Sequence, residues 1–408
     1  MNDGARRLRT VPAQPALQDG DLLAAVDIGS NSFHMVVARY VLGQLRVVDR
    51  LREMVRMAEG LDAAGGLDGA VKQRALDCLA RFGQRIHDIP PQRVRALATN
   101  TVRALARPQA FLVPAETALG HAIDVVSGRE EARLVYLGVA HAQPPKPGQR
   151  RLVMDIGGGS TECIIGSGLD PIERESLQVG CVASTRRFFG DGKLSRKRWK
   201  DALVEVGAEF QQFAGTYRNL GWDEALGSSG TLKQIGEICE AMKLTKGSIT
   251  AEAIPEVRDR LLRADRIEAI DLPDLSDERR PIIAGGLLVV EAAVSARGLS
   301  RMAVSKAALR EGALYDMLGR GGADDPREAS VAALVQRYGI DDAQASRVQA
   351  TALMLFDRVA AGWKLDADMR RMLGWAARLH ELGLAIAHSQ YQLHGAYVLQ
   401  HSDIAGFS

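Results

Sequence analysis

The chain has 408 residues, with Lys plus Arg 52 against Asp plus Glu 50 and only 5% aromatic side chains. That length exceeds a single core and points to two or three domains; the charge balance leaves net charge silent about partners, although a cleft can still be locally basic, and the scarcity of aromatics argues against a base-stacking nucleic-acid surface. No apolar run approaches the ~18 residues of a membrane span, the start MNDGARRLRTVPAQPALQDG has no signal-peptide core, and Cys78, Cys163, Cys181 and Cys239 form no CxxC pair, so the reading is a cytoplasmic protein with reduced thiols and a disordered leader over residues 1–20.

Residues 24–40, AAVDIGSNSFHMVVARY, read as a β-hairpin: one apolar strand delivers Asp27, a polar turn follows (Gly29, Ser30, Asn31, Ser32), and a second apolar strand leaves it. LRVVDRLREMVRMAEGL is a third strand with its turn. Residues 68–89 place apolar side chains at helical spacing and stop before Pro90 and Pro91, which predicts an amphipathic helix. VRALATNTVRAL, residues 94–105, is a strand running into a polar turn and a helix start. Arg103 follows that turn; its guanidinium reaches a phosphate in a cleft or lies on a solvated helix face, and the residues alone leave both open.

IDVVSGREEARLVYLGV, residues 123–139, is a strand that turns at Ser127 and Gly128 into a helix with Glu130 and Glu131 in its first turn. The helix dipole alone favours acidic residues there. A glycine-rich hairpin follows closely, however, and a carboxylate facing a cleft would orient water for attack on a phosphoryl group. QPPKPGQRR, residues 143–151, is an exposed proline-rich linker between lobes.

RLVMDIGGGSTECIIG, residues 151–166, is that second hairpin. Gly157, Gly158 and Gly159 are expected to take φ > 0 and bring N–H groups to an anion, and the hydroxyls of Ser160 and Thr161 to donate to phosphate oxygens. Asp155 and Glu162 flank the turn and are hard oxygen ligands of the kind Mg²⁺ takes beside a phosphate. Aligned without gaps, Asp27 falls on Asp155, Gly29 on Gly157 and Ser32 on Ser160. A repeat of so long a period predicts two duplicated α/β lobes facing each other across a cleft, the actin-like (ribonuclease H-like) ATPase architecture, with lobe I at residues 21–140 and lobe II at 141–320.

SLQVGCVASTRRFF then gives a strand and a helix with Arg186 and Arg187, a basic pair commoner on a solvated face than in an anion channel. DEALGSSGTLKQIGEICE gives a strand, a turn containing Gly230, and a helix whose N-terminus suits an anion or nucleotide. A long apolar helix, a short strand near residues 302–304 and AALREGALYDML close the second lobe, and GGADDP marks a boundary. From residue 327 the composition turns helical. His380, His388, His394 and His401 look at first like a metal cluster, but HELG offers His-Glu where HD-type phosphohydrolases need His-Asp, and no complete ligand set emerges.

VDIGSNSFHMVVARY, ATNTVRAL, SGREEARLVYLGV, MDIGGGSTE, GSSGT and LREGALYDML, in that order, resemble the exopolyphosphatase and guanosine pentaphosphate phosphohydrolase (Ppx/GppA) family over residues 22–408. The resemblance implies an actin-like pair of lobes followed by a helical HD-like domain at 321–408, which stops inside a helical unit where family members continue. It implies Glu131 as the group activating water, Arg103 on phosphate, and Asp155 and Glu162 on Mg²⁺. Asp27, Ser30, Asn31 and Ser32 match one phosphate loop, and Gly157, Gly158, Gly159, Ser160 and Thr161 the other. The expected activity is an exopolyphosphatase acting on inorganic polyphosphate as a homodimer; the alternative is guanosine pentaphosphate hydrolysis, and a sugar or acetate kinase or a non-catalytic sensor fits less well.

Overall fold

The computed structural model describes residues 17–319 and 325–408. Most of the expected leader and residues 321–324 of the GGADDP boundary lie outside these. Among the described residues the chain divides into one compact unit over residues 19–318 and a second made chiefly of residues 319–407.

The first unit contains two sheets. In one, β1 (Leu22–Ile28), β2 (Phe33–Val41), β3 (Gln44–Glu53), β4 (Val94–Ala98) and β5 (Ile123–Val125) lie in the order β3-β2-β1-β4-β5. The first three strands are antiparallel, and β4 and β5 join in parallel through helical crossovers. β1 is apolar from Leu22 to Val26, where both faces are covered, before it delivers Asp27, whereas β3, at the edge, alternates with solvent. The helix Gly69–Ile86 begins at Asp68, whose carboxylate accepts from the N–H groups of Ala70 (2.9 Å) and Val71 (3.0 Å). Its buried face, including Leu79 and Phe82, packs with Phe33, Met35 and Phe111 into the core of this lobe.

The other sheet repeats the arrangement. β6 (Arg150–Ile156), β7 (Thr161–Ser167), β8 (Asp170–Leu177), β9 (Glu224–Ser228), β10 (Ser248–Thr250) and β11 (Arg301–Val304) lie in the order β10-β11-β9-β6-β7-β8. Reading β6 for β1, β7 for β2, β8 for β3, β9 for β4 and β11 for β5, order and strand directions are the same, with β10 added at the edge. The helices Arg196–Leu220, Ser229–Ala241 and Ile283–Arg297 enclose its core, and Leu287, Leu288, Val289 and Val290 are buried on every side of the last.

The helices that follow β5 and β11, Gly128–Ala142 and Leu309–Gly319, are therefore equivalents. They cross at two glycines: a Cβ on Gly138 would overlap the Ala308 carbonyl, and one on Gly312 the Leu134 carbonyl. Beside the crossing lies a buried ionic cluster. Arg133 donates to Glu130 through Nε (2.7 Å) and Nη2 (2.8 Å), Asp316 accepts from Arg133 (2.5 Å) and from Arg95, and Arg95 lies 3.6 Å from Glu130. Glu130 is thus consumed in holding the helix start between β4 and the helix Leu309–Gly319.

The second unit is helical, with Pro326–Arg337, Asp342–Trp363, Ala367–Arg378 and Tyr391–His401 as its principal helices. Val331, Leu334, Trp375 and Leu382 form its core. Trp375 lies 4.6 Å from the Arg327 guanidinium, which pairs with Asp325 (2.8 Å), and donates its Nε1–H to Glu328 (2.9 Å). His380 is held by the Ala377 carbonyl (2.8 Å) and lies 3.6 Å from Glu381. Among the described residues no helix is long and apolar enough to cross a membrane, and no three or more His, Cys, Asp or Glu side chains form a metal-binding group. Cys78, Cys163, Cys181 and Cys239 are free thiols, all buried.

Candidate active site

A cavity of about 460 Å³ opens between the two lobes, lined from one side by Asp27, Ser30, Asn31, Ser32 and His34 and from the other by Asp155, Gly157, Gly158, Ser160 and Gly230. The duplicated hairpins meet here face to face. Gly157 closes its turn by donating to the Ser160 carbonyl (2.9 Å), and the helix Cys181–Phe189 donates from Cys181 to Gly157 (2.9 Å) and from Val182 and Ala183 to Gly158 (2.9 and 3.0 Å). With the turn's carbonyls engaged, the N–H groups of Gly158 and Gly159 find no acceptor among the described residues, nor do those of Ser30 and Asn31. Asn31 is 7% exposed and its Nδ2 is a buried donor without a partner. Buried donors are almost always paired, so this cluster is built for an external acceptor.

The reason for the glycines differs from the sequence expectation. Gly157, Gly158 and Gly159 are not among the residues with positive φ. They serve close approach: a Cβ on Gly158 would lie 2.9 Å from the Ser30 Cβ and 3.3 Å from the Asn31 nitrogen, and one on Gly159 would overlap the Asn100 side chain of the opposite lobe. At Gly230 a Cβ would meet the Arg279 guanidinium, which a shift of that long side chain could relieve. The left-handed residue at this third turn is Ser229 (φ 92°), a strained conformation of the kind that collects at binding sites.

Four carboxylates converge. Asp27, Asp155 and Glu131 line the cavity; Glu162, paired with Asp155 across β6 and β7, lies behind it and accepts from Ser176 (2.9 Å). Burial pushes the Asp27 carboxyl up to about 7, with Glu131 and Asp155 adding repulsion and Arg310 opposing it. Burial likewise raises Asp155 to about 6, opposed by a hydrogen bond from Ser228. Glu131 is raised by burial against the pull of Arg103, and Glu162 is raised well above the carboxylate range by burial and by Glu131 and Asp155. Such mutual repulsion is what a dication relieves. Asp27 and Asp155, the equivalent residues of the two hairpins, both face the cavity and would hold Mg²⁺ together with substrate oxygens, as this ion prefers; Glu162, expected as a ligand, stands one strand further back.

Two other expected residues are occupied differently. The Thr161 hydroxyl donates to the Val179 carbonyl (2.6 Å), which leaves it nothing for a phosphate. Arg103 does not line the cavity: its Nη1 donates to the Val126 carbonyl (2.7 Å) and to Glu131 Oε2 (3.0 Å), while Nη2 is buried without a partner. Ser32 Oγ and His34 Nε2 lie 2.8 Å apart, and burial together with Arg310, Arg52 and Arg279 holds the imidazole well below its usual pKa, hence neutral. The cations lining the cavity, Arg50, Arg52, Lys233, Arg279, Lys306 and Arg310, were not singled out from sequence. One signal was present: GREEA at 128–132 and LREGA at 309–313 are a further piece of the internal repeat.

Comparison with known proteins agrees with this architecture. The Ppx/GppA phosphatase family matches residues 36–321, and Ppx/GppA phosphatase domain III matches residues 327–408. A Pseudoalteromonas translucida protein named guanosine-5'-triphosphate,3'-diphosphate pyrophosphatase is 38% identical over 389 residues, covering 95% of this chain and 78% of its own. An Aeromonas hydrophila protein of the same name is 36% identical over 393 residues, 96% of this chain and 79% of its own. The crystal structure of the Aquifex aeolicus Ppx/GppA family member superimposes with a TM-score of 0.61 at 22% identity, covering 74% of this chain and 99% of that one. An exopolyphosphatase from Cytophaga hutchinsonii superimposes with 0.63 at 23% identity over 73% and 98%. These two structures establish the actin-like fold. Matched by family domains in both of its parts, and similar to these relatives along nearly its whole length, the chain belongs to the Ppx/GppA phosphatase family.

Proposed function

We propose that this protein hydrolyses the terminal 5'-phosphoanhydride of guanosine pentaphosphate, releasing orthophosphate and guanosine tetraphosphate. The observation that carries the reading is a carboxylate, Glu131, tethered by Arg103 and facing a cavity whose opposite walls present unsatisfied donors from two phosphate-type turns. The substrate follows from the relatives at 38% and 36% identity, named for this nucleotide, and so the nucleotide takes precedence over the polyphosphate expected from sequence. Polyphosphate is a second reading, because cations distributed along the cavity wall suit any chain of phosphates.

The terminal phosphoryl group lies between the two turns, its oxygens accepting from Asn31 Nδ2 and the free N–H groups. Glu131 accepts a proton from the attacking water; its raised pKa brings it toward neutrality, where a general base works best. Arg103 fixes the carboxylate from behind. Mg²⁺, when bound, would neutralise charge on the bridging and terminal oxygens. The bond from the terminal phosphorus to its bridging oxygen breaks, and the nucleotide leaves with the electron pair.

Phosphate release by purified protein with Mg²⁺, from guanosine pentaphosphate and long-chain polyphosphate in parallel, tests the proposal. The nucleotide should be the better substrate by kcat/KM, and Glu131→Gln should lose about 10²- to 10⁴-fold in kcat with unchanged folding. Faster release from polyphosphate would reverse the order of the two readings. Near-normal turnover by the variant would remove Glu131 from the mechanism.

A further inference from the structure

We propose that Arg310 is the cation that contacts the transferred phosphoryl group, while Arg103, for which sequence suggested that role, is a positioning residue for Glu131. The inference rests on the phosphohydrolase reading of the cavity and adds to it a residue that no motif assigned.

Arg310 is the second residue of the helix Leu309–Gly319 and lines the cavity with its neighbours Lys306, Ala307, Ala308 and Leu309. Its side chain is 17% exposed, yet its one ion pair among the described residues is a long approach to the adjacent Glu311 at 3.9 Å. Glu311 is itself engaged elsewhere, accepting from the Ala308 N–H (2.9 Å) and lying 3.3 Å from Arg50. Arg310 lines the same cavity as Asp27 and Asp155 and as Ser30, Asn31, Gly157 and Gly158 of the two turns, so it shares the space on which the turns converge. A mostly buried guanidinium with five donors and no hydrogen bond from its side chain among the described residues is poised for an anion.

The internal repeat explains why this arginine and not another. In GREEA the arginine is Arg129, 41% exposed and turned to Glu173 (3.2 Å) and Glu175 (3.9 Å), while Glu131 faces the cavity. In LREGA the residue equivalent to Glu131 is Gly312, which the helix crossing requires to lack a side chain, and the arginine faces the cavity. Each of two equivalent helices therefore gives the cavity one charged group, a base from lobe I and a cation from lobe II. Arg103 differs, because two carbonyl and carboxylate contacts already commit one of its nitrogens to holding Glu131.

The test compares Arg310→Ala, Arg310→Lys, Arg103→Ala and the repeat-equivalent control Arg129→Ala in the full chain, with thermal unfolding to confirm folding. Arg310→Ala should lose about 10²- to 10³-fold in kcat, the usual cost of removing one donor to developing negative charge. Added guanidinium ion should restore at least about tenfold of that loss in Arg310→Ala and none in Arg103→Ala, and Arg310→Lys should lie between wild type and Ala. Arg129→Ala should retain wild-type kcat. Activity of Arg310→Ala within about threefold of wild type, or guanidinium rescue of Arg103→Ala in its place, would overturn the assignment. If the wild type released no phosphate, the hydrolase reading would fall by itself. Calorimetric titration with methylenediphosphonate would then still decide on Arg310: affinity weakened about tenfold or more in Arg310→Lys relative to Arg129→Ala supports it, and equal affinity refutes it.

Discussion

Asp27, Asp155, Glu131 and Glu162 crowd four carboxyl groups into one partly enclosed space, and the protein holds them there at a cost that a cation would relieve. The folded-state pKa of Asp27, about 7, lies above the ordinary 3.8, so the folded protein binds this proton more tightly than the unfolded chain. Its stabilising contribution is complete below about pH 4 and is lost as pH rises through 7; Asp155 behaves alike through about 6. Without divalent cations, Asp27→Asn should therefore unfold at a higher temperature than wild type at pH 8, with the difference shrinking toward pH 4. Thermal unfolding across that range checks the sign, and a difference independent of pH would mean that Asp27 is already ionised at low pH. The identities of these carboxylates were legible in the sequence because each flanks or follows a recognisable turn. Their division of labour was not. That Glu130 is neutralised by Arg133 and Arg95 while Glu131 is free to face the cavity depends on β4 and the helix Leu309–Gly319, brought together only by the fold.

The hairpins were the most legible elements, since an apolar run, an aspartate, a glycine-bearing polar turn and a second apolar run dictate their own geometry locally. What a single hairpin could not disclose was why its glycines are there. The approach of Gly158 to Ser30 and Asn31 comes from the other hairpin, more than a hundred residues away in the chain, and backbone conformation alone would have tolerated a side chain. Gly158→Ala must move one turn against the other by several tenths of an ångström, and an overpacked site typically costs about 1–3 kcal/mol. The expected outcome is a modest loss of thermal stability with a loss of about 10- to 100-fold in kcat/KM, since misplacing the turn misplaces the phosphate; unchanged kinetics would show that the two turns do not act together. Arg310 escaped notice for a related reason. Its helix start has ordinary composition, and only alignment of LREGA on GREEA, read with the crossing at Gly138 and Gly312, gives the position meaning.

At the scale of the molecule, the duplication visible in two short motifs extends to every strand of the first sheet and to all of the second but β10, and the cavity lies where the equivalent hairpin turns face each other. Contacts between lobes maintain this arrangement away from the cavity centre: Arg186 donates to the Leu61 carbonyl (2.6 Å), Asn100 to Gln178 (2.6 Å), and Arg52 pairs with Glu278 (3.0 Å). The sequence revealed the duplication and the change to helix after residue 327, because both are matters of pattern. It did not reveal the helices Arg196–Leu220 and Ala253–Leu261 or the edge strand β10, whose roles are to cover the second sheet and to extend it. Only the assembled pair of lobes brings Glu131 and the two turns to one cavity, and under the proposed mechanism this arrangement would determine which phosphorus is attacked. Hydrolysis of guanosine pentaphosphate in ¹⁸O-labelled water, with the products resolved by phosphorus NMR, tests that claim most directly. The account predicts a single label in the released orthophosphate and none in the nucleotide product; label in the nucleotide, or release of pyrophosphate, would place the attack at another phosphorus and contradict it.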